Sequence, residues 1–193
     1  AMTSADVDAV SRTRVVVRGS FALIVLGQVL VAACGWFFHE VISRLRPGEV
    51  LAPWPFLPYC AAFVAAMLLA TAVHEGGHVV VGRRFGWRLA RISVALRVGV
   101  LLVDDDNEKT YREQLAVSAA GPIGTLIYGL ALGGMALLFG AGAAPFFVVA
   151  GVSILEGAGQ LVIPTPNGDA NKLWKCLWAV SRGRGREPYS DHR

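Results

Sequence analysis

Charge is scarce in this 193-residue chain. Lys, Arg, Asp and Glu together make up 17% of it, against about 25% in a soluble domain. The absence is concentrated in three runs with no charge at all: Gly19–Phe38 (20 residues), Leu51–Val73 (23) and Gln114–Leu155 (42). A membrane-spanning helix needs about 20 apolar residues, so each of the first two runs suits one span. The third is about twice the thickness of the hydrocarbon layer and must turn back. Gly140-Ala141-Gly142-Ala143-Ala144-Pro145 is the place to do so. These runs leave no room for a separate soluble domain. The three cysteines, Cys34 and Cys60 in apolar runs and Cys176 near the end, exclude a disulfide framework. No internal repeat is visible, which argues against a transporter built from inverted halves.

The expected fold is therefore an all-α polytopic membrane protein with about four transmembrane helices, at about 19–38, 56–82, 114–139 and 144–163. The few basic residues alternate. Segments before, between and after the spans hold 3, 2, 7, 0 and 6 Lys plus Arg. That is the positive-inside pattern, with both termini cytoplasmic in a multi-pass cell membrane protein. Residues that flank spans in this way do not form a nucleic-acid patch, so no nucleic acid is expected as a partner.

Against this background, His74-Glu75-Gly76-Gly77-His78 stands out. Composition alone gives roughly 0.006 chance occurrences of His-Glu-x-x-His in the chain. Histidines four apart on a helix share a face and can hold one zinc ion between them, with the glutamate placed as general base. The rise from Phe56 to His74 is about 27 Å, which sets the pair near the inner edge of the hydrocarbon. A catalytic zinc site needs a third protein ligand. The topology puts His39 on the outer side, and His192 is in the tail. Cys176 is possible, and Asp169, at the inner edge of the last span, is favoured. The competing role for Asp169 is N-cap of the helix that follows. Glu156 and Gln160, one turn apart in the fourth span, are functional or hydrogen-bonded structural groups.

The rest of the chain supplies accessory elements. From Arg88 to Val103 the even positions are apolar, a period-2 signal for a short membrane-associated strand or hairpin at about 88–103. Asp104-Asp105-Asp106-Asn107-Glu108 lacks the ligand spacing of a calcium loop. Asp169 to Val180 is expected to form an interfacial helix, its Trp174 and Trp178 suiting the inner headgroup layer of the bilayer. The termini, 1–18 and 181–193, are read as flexible, and 1–193 as one membrane-embedded domain.

Three separated stretches resemble the site-2 protease family of intramembrane zinc metalloproteases. They are His74-Glu75-Gly76-Gly77-His78, Ala120-Gly121-Pro122, and Pro164-Thr165-Pro166-Asn167-Gly168-Asp169. The resemblance implies one Zn2+ per chain on His74, His78 and Asp169, with Glu75 as catalytic base. It implies hydrolysis of peptide bonds in or next to transmembrane segments of single-span or other membrane proteins. Gly121, Pro122, Thr125, Arg91, Ser93 and Gln160 are the candidate substrate contacts. The chain departs from the family pattern at Thr125 and at Gln160 or Leu161, where asparagines are common, and at Ala170, where glycine is. These departures bear on substrate clamping, not on the metal. No PDZ domain is expected, so an accessory protein is a candidate for substrate selection. The alternative is a catalytically weak or inactive zinc-binding membrane scaffold, which would have no need of Glu75.

Overall fold

The computed structural model describes residues 14–17, 21–45, 55–94, 98–103, 109–139, 143–165 and 168–189. Of these, 14–17, 21–25, 28, 38, 42–45, 88–94 and 98–103 are described by their backbone alone. The chain is mostly helical: α1 (Phe21–Leu45), α2 (Phe56–Arg84), α3 (Tyr111–Phe139), α4 (Ala144–Val162) and α5 (Asp169–Ser181). Among the described residues, α2, α3 and α4 are long and apolar enough to cross a membrane. The apolar stretch of α1, Val29–Val41, is shorter. Three such helices therefore stand where about four were expected.

Local chemistry explains the helix ends. The helix α1 runs on to Leu45, through residues expected to form a loop, because no breaker intervenes before Pro47-Gly48. The left-handed Gly86 (φ 82°) follows the end of α2, and Gly183 (φ 80°) follows the end of α5. At the start of α3, Thr110 and Glu113 form a capping box. The Thr110 N–H donates to Glu113 Oε2 (2.9 Å), and the Glu113 N–H donates to Thr110 Oγ1 (3.3 Å). This moves the start of the helix ahead of the expected 114. From there α3 is helical throughout, Gly121-Pro122 included.

Glycines let the spans approach closely. A Cβ on Gly77 of α2 would lie 2.6 Å from the Ala120 carbonyl oxygen of α3, and one on Gly124 would lie 3.3 Å from that of Val73. One turn back along α2 thus matches one turn forward along α3, so the two helices are antiparallel. The helices α3 and α4 meet in the same way at Gly129 against Ile154 and Ala150, and at Gly157 against Leu126 and Pro122. Farther along, Ala32 of α1, Phe63 and Met67 of α2 and Val149 of α4 form the apolar core. His39 lies away from the motif, buried and stacked on Tyr59.

Beyond the spans, the backbones of β2 (Arg88–Val94) and β3 (Val98–Val103) pair antiparallel. The arm segment β1 (Arg14–Val17), expected to be irregular, pairs parallel with β2. The connection 95–97 and the acidic loop lie outside the described residues. After α5 the chain folds back on the start of α3, although its Arg- and Gly-rich composition reads as a flexible tail. The N–H groups of Tyr111 and Arg112 donate to the carbonyls of Glu187 and Gly185 (3.2 and 3.1 Å), and Thr110 bridges Pro188. Tyr189 packs edge-on against Tyr111. The free N–H groups of a helix start attract the returning carbonyls.

The α3–α4 contact makes a sharp prediction. A methyl on Gly157 would sit 2.9 Å from the Pro122 carbonyl oxygen, whereas one on Gly134 meets nothing within 4 Å. Gly157→Ala should therefore lower stability by about 1–3 kcal/mol. Gly134→Ala should be neutral or slightly stabilising. Thermal unfolding of the detergent-solubilised protein checks both.

Candidate metal centre

Two turns before the end of α2, His74 and His78 point the same way, as their spacing requires. Their rings are 4.9 Å apart and nearly perpendicular, and the two Nε2 atoms are 3.2 Å apart. Asp169, the first residue of α5, completes a triangle: its Oδ2 is 3.4 Å from each Nε2. The N-cap of α5 is Gly168, so the capping role weighed for Asp169 belongs to its neighbour.

Hydrogen bonds on the far side of each ring determine what these atoms offer. Val117 has only a carbonyl to give, so the 2.7 Å contact with His78 Nδ1 is an N–H donated by the ring. The Thr125 hydroxyl donates its one proton to the Gly121 carbonyl (3.2 Å). It therefore accepts from His74 Nδ1–H at 2.9 Å. In its neutral form each imidazole then carries its lone pair on Nε2. An ionised carboxylate also only accepts. Three acceptors facing one another at 3.2–3.4 Å repel unless a cation lies between them. Tetrahedral zinc bonded at roughly 2.0–2.1 Å to N and O separates its ligand atoms by about 3.3–3.4 Å. The donor set and its spacing fit that ion.

Gly121 makes room for the pair. A Cβ there would overlap His78 Nε2 and come within 2.9 Å of His74 Nε2. Pro122 is buried beside it, and its carbonyl faces α4 at Gly157. Glu75 is half-buried next to His74.

The remaining sequence candidates are placed differently. Thr125 is 2% exposed with its hydroxyl committed to His74 and Gly121, so it supports a ligand and does not face an open surface. The Gln160 amide donates to Glu156 (3.0 Å) on its own helix, and its Oε1 is buried without a partner among the described residues. Glu156 itself is exposed. Arg91 and Ser93 lie on β2, and their side chains are outside the described residues, as are Pro166, Asn167 and His192. Cys176 is fully buried with Tyr111 and Ala179, apart from the triad, and burial pushes its thiol up to about 11. That is a poor state for a metal ligand.

Sequence reasoning missed the Thr125–His74 bond and the Val117 carbonyl. The signal available was that Thr125 lies one turn beyond Gly121, at the height of the motif.

Two histidines and an aspartate, with a glutamate beside the first histidine, are the ligand and base types of a metal-dependent hydrolase site. The Peptidase M50B-like family matches residues 49–158, more than half of the chain, and the chain belongs to it and so to the site-2 protease type. No curated protein and no solved structure matches. The matched segment contains the histidines and Gly121 but stops short of Asp169, whose placement comes from the fold alone.

Removing the hydroxyl behind His74 should weaken metal binding without emptying the fold. Thr125→Val is expected to lower zinc affinity about 10–100-fold, with Thr125→Ser close to wild type. Gly121→Ala should abolish tight binding. Competition with a zinc-chelating dye measures all three.

Proposed function

We propose that the protein is an intramembrane zinc metalloprotease that hydrolyses peptide bonds in or next to transmembrane segments of membrane proteins. The observation that carries this reading is the convergence of His74 Nε2, His78 Nε2 and Asp169 Oδ2 within 3.4 Å of one another, next to Glu75. Family membership supports it. His74, His78 and Asp169 would hold one Zn2+ per chain. Zinc bound there would supply Lewis acidity, lowering the pKa of water toward neutral and polarising a peptide carbonyl.

The chain's own residues do the rest. Glu75 takes the proton from the attacking water on its carboxylate and returns it to the leaving amide nitrogen. Val117 and Thr125 keep each imidazole in the tautomer that presents Nε2. A helical substrate hides its carbonyls in its own hydrogen bonds, so it must unwind to reach the site. The strands β2 and β3, read as one hairpin, offer it an edge to pair with. In this reading α1 is a fourth span, both termini are cytoplasmic, and the site lies near the cytoplasmic leaflet of the cell membrane. Single-span membrane proteins are the substrate class, with an accessory protein for their selection.

The test is a purified full chain assayed for bound zinc and for cleavage of a panel of single-span proteins. Wild type should bind one zinc and cleave. Glu75→Gln should keep the zinc and lose about 100- to 10,000-fold in rate, the usual worth of a general base. Folded protein that takes up no zinc overturns the reading. Cleavage equal in wild type and Glu75→Gln overturns the role of Glu75. Zinc binding without any cleavage would favour the scaffold.

A further inference from the structure

One face of α5 is left unused by the proposed reaction. The inward face is buried: Ala170, Leu173, Cys176 and Ala179 are all at most 7% exposed. The outward face presents Trp174 (49% exposed), Leu177 (39%) and Trp178 (54%). Lys175 is exposed beside them, and the Arg182 guanidinium lies 3.6 Å over the Trp178 ring. Half-exposed indoles interleaved with basic side chains are the chemistry of the headgroup layer, where the ring sits among acyl carbons and the cation meets phosphate.

The depth of this face agrees. Asp169 is level with Val117, through His78, whereas Cys176 and Ala179 pack with Tyr111 and Leu115. The helix α5 therefore runs back along the first turns of α3. It carries its two tryptophans to the height of Arg112 and Glu113, where the uncharged run of α3 begins. The charge of this end is positive. Between Asp169 and Tyr189 five Lys and Arg stand against two Asp and Glu, and Lys175, Arg182 and Arg186 are exposed.

We propose that the outward face of α5 binds anionic lipid headgroups, and that this contact holds in place the helix whose first residue is Asp169. The lipid contact stands on the surface chemistry alone, and its effect on Asp169 rests on the metal-centre reading. Each Lys or Arg near an anionic surface contributes a preference on the order of fivefold, so two of them give a measurable lipid selectivity.

The experiment reconstitutes the full chain in nanodiscs containing brominated phosphatidylglycerol or, at the same mole fraction, brominated phosphatidylcholine. Tryptophan quenching is read against Trp174→Phe/Trp178→Phe, which removes the α5 signal and keeps the background of Trp36, Trp54 and Trp87. The brominated anionic lipid should quench the α5 signal at least about twofold more than the zwitterionic one. Lys175→Gln/Arg182→Gln should remove that difference. Zinc affinity should be at least about threefold tighter in the anionic discs for wild type, and equal in both for the double variant. Equal quenching by the two lipids overturns the proposal, as does an α5 signal that neither lipid reaches, the result expected if a second copy or another protein covers the face. Selective quenching with unchanged zinc affinity overturns the effect on Asp169. A protein that fails to cleave any substrate leaves these readouts intact, so failure of the protease reading is seen separately.

Discussion

Everything at the metal centre depends on how closely the backbones of α2 and α3 approach. Gly77 touches the Ala120 carbonyl, Gly124 faces the Val73 carbonyl, and Gly121 lies under both imidazoles. Within a bilayer there is no hydrophobic drive to press two spans together, so contact relies on small residues and short-range packing. Here that packing has a chemical result. Bringing α2 down onto α3 puts His78 Nδ1 within 2.7 Å of a helix carbonyl and His74 Nδ1 within 2.9 Å of a threonine hydroxyl. A side chain at 77 or 121 would separate the helices and remove the partners that orient the rings.

The site is also a concentration of electron-rich atoms in an apolar setting. Two imidazole lone pairs and a carboxylate share a space of 3.2–3.4 Å edges, and a low dielectric strengthens their mutual repulsion. Water would screen such a cluster on a protein surface. Here a cation held between them would supply the screening, which would couple metal binding to the fold. Holding both Nδ1 protons by fixed partners lowers the cost of presenting the donors, because neither ring has to choose a tautomer at the moment of binding.

Much of this was legible in the sequence, and the part that was not has a physical reason. The histidine pair follows from helix periodicity, so local spacing was enough to put both on one face. The apolar runs of α2, α3 and α4 were equally plain, since composition and length alone decide them. Asp169 was harder, because an aspartate ahead of a helix is as suited to capping as to ligation. Only the fold gives the cap to Gly168. Thr125 could be recognised as different from asparagine, but its partner is 51 residues away, across a helix contact. The tail past Ser181 misled through its Arg and Gly content. Its bonds are made by backbone groups, which carry no signature in side-chain composition. For α1, the missing cue was that a helix persists past the end of its apolar run until a breaker stops it.

The pairing of residues 185–188 with the first turn of α3 bears on the order in which the protein matures. The histidines are made early, in α2, and they remain a two-donor site while α3 and α4 are being inserted. The third donor arrives with α5, and the strand-like return that follows it seats α5 against a helix start laid down about seventy residues before. A three-donor site is thus complete only late, in chains whose spans have already assembled. A nascent chain with its helices wrongly arranged would offer a metal ion only two histidines.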